Sequence, residues 1–192
     1  VSQFSDHATD YNRDEGPLSF PTVVTPDAQW QLASGMARIH QATLTPSKQE
    51  LLSEYASSVP GLAHASASDI SLLGAYRFDD PAGEVGIECH ILGSADGAVI
   101  HLPVVYRAEP IEGWDDVLVG TLEHSVLGTR WVYEACGDPI FVQELVATIV
   151  TGGTQVELVV ETDGGPVVRE PTATVVGTGV PGTVVPAIGT VL

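Results

Sequence analysis

Two runs of alternating residues, Glu84 to Gly93 and Ala98 to Arg107, flank Asp96-Gly97, and no other feature restricts the fold of this chain as tightly. Asp-Gly marks a hairpin because a two-residue type I′ turn needs φ > 0 at both central positions. Gly accepts that region freely, and Asp accepts it more readily than most residues. A two-residue turn sets Leu92 opposite His101, His90 opposite Pro103 and Glu88 opposite Val105. Side-chain alternation then puts Glu88, His90 and His101 on one face. Ile87, Cys89 and Ile91 fall on the other with Ile100, Leu102, Val104 and Tyr106, which is the predicted core face.

Around this hairpin, Ile70 to Phe78 reads as a preceding strand, joined to it by an Asp-Asp-Pro-Ala-Gly turn. Val117 to Ser125 and Thr129 to Glu134 read as a second hairpin about Leu127-Gly128, with Trp131 opposite His124. Gln155 to Glu161 and Val167 to Val176 read as a third pair about Asp163-Gly164. The 26 Val and 16 Thr suit a sheet. Two helix starts interrupt it. Thr45-Pro46 offers an N-cap followed by proline, and Ser47 to Glu50 offers a capping box one step later; Leu51, Leu52, Tyr55 and Val59 make the apolar stripe, and Pro60-Gly61 the stop. Asp138-Pro139 repeats the device ahead of Ile140, Phe141, Leu145 and Ile149, with Gly152-Gly153 as terminator. The predicted class is α+β: a single domain with a curved antiparallel meander and flanking helices. Residues 1–35 carry no sustained periodicity and read as a flexible extension, 36–177 as the domain, and 178–192 as a flexible Gly/Pro/Thr/Val tail.

Charge removes several function classes. With 25 Asp+Glu against 7 Lys+Arg the formal charge is −18, which repels a phosphate backbone or an anionic lipid surface. Neither nucleic acid nor membrane is an expected partner. Cys89 and Cys136 stand alone, without the spacing of a zinc site or a disulfide framework, and read as two buried thiols. The first twenty residues lack an apolar stretch behind a basic start, and the expected location is the cytoplasm.

No catalytic motif is written in the chain. Gly177-Thr-Gly-Val-Pro-Gly182 fits G-x-G-x-x-G, but the ten residues after it include Pro186 and Gly189 and leave no room for a phosphate-binding helix. Neither H-E-x-x-H nor G-x-S-x-G occurs. The remaining candidates are polar residues that the predicted register gathers on one sheet face: Glu88, His90 and His101, joined by Glu123 and His124 of the next hairpin. Imidazole and carboxylate are metal ligands and general bases, so a small metal-dependent or ligand-binding enzyme is one reading of that face. A solvated sheet face, which alternation demands opposite any core, is the simpler one. No cofactor is expected.

Three stretches carry a resemblance: Ile39 to Leu52 (IHQATLTPSKQELL), Ala75 to Ile87 (AYRFDDPAGEVGI), and Glu123 to Tyr133 (EHSVLGTRWVY) with Asp138-Pro139. Together they resemble an actinobacterial family related to the maltokinase N-terminal cap domain, over about 36–176. The resemblance implies an α+β cap that elsewhere precedes a kinase acting on maltose or an amino sugar, in trehalose and glycogen metabolism. It implies no catalytic residue here, since a nucleotide cradle, a catalytic-loop Asp and a metal-binding Asp have no counterparts in the sequence. The expected role is a non-catalytic module with a protein partner, such as a sugar kinase or a glycogen or trehalose pathway enzyme.

Overall fold

The computed structural model describes residues 36–39, 42–162 and 165–189. The first 35 residues, read above as an extension, and the Asp163-Gly164 turn lie outside the described residues. Nine strands and two helices follow in order: β1 (Met36–Ile39), β2 (Leu44–Thr45), α1 (Lys48–Ala56), β3 (Ile70–Phe78), β4 (Gly86–Ser94), β5 (Val99–Arg107), β6 (Leu118–His124), β7 (Gly128–Glu134), α2 (Pro139–Thr151), β8 (Glu157–Thr162) and β9 (Gly165–Arg169). Six strands form a curled antiparallel sheet in the order β2-β6-β7-β5-β4-β3. A second, three-stranded sheet has the order β1-β8-β9, with β1 parallel to β8. The class is α+β, as the turn-bounded runs imply.

The central hairpin departs from the predicted register by one residue. Ile91 pairs with His101, His90 with Leu102 and Glu88 with Val104. The loop has three residues, not two. Gly97 N–H donates to Ser94 O at 3.0 Å, Ser94 N–H donates to Ala98 O at 2.9 Å, and Gly97 alone takes a positive φ, +92°. Asp96 stays at negative φ, its Oδ1 accepting from the Ser94 hydroxyl and, at 3.2 Å, from the Ala98 N–H. That arrangement is a type I turn followed by a left-handed glycine. One extra loop residue moves the pairing by one and turns the following strand over.

Both faces of the sheet are consequently covered. Toward α1 point Leu92, Leu102 and Val104, packed with Leu52, Ala56, Leu122 and Val132. Toward α2 point Ile87, Cys89 and Val105, packed with Phe78, Trp114, Tyr133 and Phe141. Cys89 is buried beside Ile87 as expected, whereas Leu102 and Val104 line the opposite core from it; Cys136, expected to be buried as well, is exposed. In the second hairpin Trp131 faces Thr121, and His124 faces Gly128. Trp131 and His124 are therefore not partners.

Helix α1 starts from the capping box: the Ser47 hydroxyl accepts from Glu50 N–H, and Glu50 Oε2 accepts from Ser47 N–H at 2.8 Å. Thr45 is thus not its N-cap. Helix α2 starts as predicted, Asp138 accepting from Ile140 N–H at 2.9 Å with Pro139 at the first helical position. Phe141 is buried, but Ile149 faces outward, 46% exposed.

The C-terminal segment lies against the body of the protein. Residues 171–180 are alternately half-buried and exposed, with Ala173 and Val175 against the α2-side core. Gly179 and Val180 N–H donate to Ile149 O and Val150 O at 2.8 and 3.0 Å, satisfying carbonyls that a helix C-terminus leaves without internal partners. Gly177 and Gly179 approach so closely that a Cβ on either would lie 1.9 Å from Thr148 O or 2.0 Å from Val150 O. Contact with a helix end, not a phosphate, accounts for the two leading glycines of the G-x-G-x-x-G pattern. Beyond them, Gln143 clamps the chain by donating to Pro186 O and accepting from Ile188 N–H.

Candidate functional site

The structure does not bring the five candidate polar residues together. With the observed register Glu88 and His90 face α1, while His101, paired with Ile91, faces the other way. Glu123 and His124 sit on β6, separated from β4 by β7 and β5. Glu123 is exposed and accepts from the Thr129 hydroxyl at 2.7 Å. His124 Nδ1 accepts from Val126 and Leu127 N–H at 3.2 and 3.1 Å, which fastens the hairpin tip. His101 stacks on Tyr76, 5.8 Å between ring centroids, and its Nε2 lies 3.0 Å from the Tyr76 hydroxyl. Among the described residues no group of three His, Cys, Asp or Glu could hold a metal ion.

Glu88 and His90 instead belong to a buried polar cluster beneath the first turn of α1. Lys48, the first helical residue and the only lysine in the chain, places its Nζ 2.5 Å from Glu88 Oε2 and 5.3 Å from the centre of the Tyr106 ring. His90 is 1% exposed, its Nε2 3.6 Å from Glu88 Oε2 and 3.3 Å from the Tyr106 hydroxyl. Arg77, opposite Glu88 on β3, brings a further cation. Nearby, the Tyr55 hydroxyl of α1 donates to Glu134 Oε1 at 2.8 Å. Both contacts join the short helix to the sheet.

Electrostatics follows from this burial. Burial works to raise the Glu88 proton affinity, but Lys48, then His90 and Arg77, outweigh it and hold the carboxyl at about 2. Burial lowers His90 to about 4 against the pull of Glu88, with Lys48 and Arg77 adding to the lowering. Burial also raises the Tyr106 hydroxyl well above its ordinary value. At neutral pH the cluster therefore holds an ionised Glu88, a neutral His90 and a protonated Tyr106. Arg77 Nε and His90 Nδ1 are buried without a hydrogen-bond partner.

A second ion pair, its carboxylate buried, lies at the start of α2. Asp138 is 0% exposed and accepts from Arg107 Nε and Nη2 at 3.1 and 2.5 Å while capping the helix. Close by, burial and then Asp80 and Asp79 raise the Glu144 carboxyl to about 7. The sequence gives one signal for each cluster: a lone lysine at a helix start, and a single arginine closing the apolar strand β5.

Neither a curated protein nor a solved structure matches the chain. No helix among the described residues is long and apolar enough to cross a membrane. Residues 61–138, which carry strands β3 to β7 and end on the Asp138 cap, match the family model of the maltokinase N-terminal cap domain, and that part of the chain is similar to it.

Proposed function

We propose that the chain acts as a non-catalytic cap-like module whose partner is a protein, a sugar-phosphorylating kinase or an enzyme of glycogen or trehalose metabolism. The observation that carries this reading is the cap-domain match over 61–138, the part of the chain that builds the central sheet. The placement of the candidate residues supports it further. Glu88 is spent on Lys48 of α1, His90 is sealed beside it, and His101 is turned to the opposite face, so these residues offer no open, shared group of acids and bases to a substrate.

Two measurements test it. Incubated with ATP and maltose or glucosamine, the purified protein is expected to release ADP no faster than a blank, because phosphoryl transfer needs a nucleotide cradle and metal-binding acids. Turnover that depends on the chain would overturn the non-catalytic reading. Titration of purified maltose or amino-sugar kinase with the chain is expected to give saturable binding. Absence of binding to either would count against a kinase partner.

A further inference from the structure

We infer that the polar cluster beneath α1 is a binding site for one internal water molecule, held between His90 Nδ1 and the Nε–H of Arg77. Both atoms are buried and neither has a hydrogen-bond partner, so they are not bonded to each other. Burying two such groups unsatisfied is costly, and an ordered water is the ordinary way a folded protein satisfies them.

Strand pairing sets the two side chains on one face. Arg77 lies opposite Glu88 and Ala75 opposite His90, which makes Arg77 the diagonal neighbour of His90 on the α1 side of the sheet. The ring of His90 is oriented by its other nitrogen. Nε2 lies 3.3 Å from the hydroxyl of Tyr106, which comes from β5 on one side of β4. The two nitrogens of an imidazole point in nearly opposite directions, so Nδ1 is turned toward β3 on the other side, where Arg77 stands. Directly across from His90 on β3 is Ala75, whose methyl leaves the room that a longer side chain would fill.

Protonation selects the occupant. Nε2 faces Glu88 Oε2 at 3.6 Å, and an ionised carboxylate only accepts, so the single proton of the neutral ring sits on Nε2 and Nδ1 keeps its lone pair. Arg77 Nε only donates. A bridging group must donate to one side and accept from the other, and water does both. An anion has no proton for Nδ1. A metal cation is repelled by Arg77 and Lys48, both close enough to lower the proton affinity of His90. With His90 only 1% exposed, the water belongs to the interior and not to the surface layer.

A high-resolution crystal structure of the full chain, with a parallel bromide soak, tests this. The expected result is a single oxygen peak within hydrogen-bond distance of both His90 Nδ1 and Arg77 Nε, with no anomalous bromide signal there. In solution, long-range 1H–15N spectra should show the Nε2–H tautomer, and water-selective cross-relaxation should reach the His90 ring. Arg77→Lys keeps the cation but removes the Nε–H, and should displace the peak while leaving the tautomer unchanged. A direct bond between Arg77 Nε and His90 Nδ1, no peak at all, a bromide in its place or a proton on Nδ1 would each overturn the proposal. So would a peak that Arg77→Lys leaves where it was, because the arginine would then not be what holds it.

Discussion

Asp138→Ala is expected to cost about 3 kcal/mol, the low end of the range for removing one partner of a buried ion pair, because Arg107 is itself 24% exposed. The side chain is wholly buried, caps α2 through Ile140 N–H and accepts two bonds from Arg107, so its loss uncaps the helix end and takes the counter-charge from a half-buried guanidinium. The cap alone would account for only about 1 kcal/mol. Asp138→Asn keeps an acceptor for the helix but removes the charge facing Arg107, and should fall between wild type and Ala in urea melts. Equal, small losses for both would mean that Arg107 is held by solvent and not by Asp138.

Glu88→Gln should destabilise the protein by about 3 kcal/mol at pH 7, from the energy by which its partners hold the ionised form. The same group sets an acid limit. Its proton affinity is lower in the folded chain, about 2 against the ordinary 4.5, so its stabilisation is complete above 4.5 and disappears as pH falls toward 2. His90 acts in the same direction from higher pH: folded at about 4 against 6.5, it opposes folding increasingly as pH drops below 6.5. Glu144 acts oppositely, its contribution present below 4.5 and lost as pH rises through about 7. Urea melts between pH 3 and 7 should thus show a steep acid loss that Glu88→Gln flattens below pH 4.5.

Much of the fold was legible because strand and helix boundaries are punctuated locally. Ile70 to Phe78, the Asp138-Pro139 start and the Ser47 to Glu50 capping box can each be read from neighbouring residues. The site was not, because it depends on a parity. Asp96-Gly97 announces a turn but not its length, and the Ser94 hydroxyl, which ties Asp96 into a three-residue loop, decides it. One residue separates a solvated His/Glu face from a buried cluster. The second obstacle was coverage: with cores on both faces of the sheet, alternation no longer distinguishes inside from outside. The docked C-terminal segment escaped for a different reason. Its glycines are needed by the carbonyls of α2, a contact between parts of the chain that local pattern does not reveal.

The central claim is that Glu88 and His90 are structural groups sealed under α1 and not an open reactive face. It is tested most directly by following the His90 imidazole resonances through a pH titration of the native protein. The account predicts a neutral ring from pH 7 down to about 5, with protonation only near 4, where unfolding begins. A His90 that titrates reversibly near 6.5 in the folded protein would place it in solvent and contradict the account.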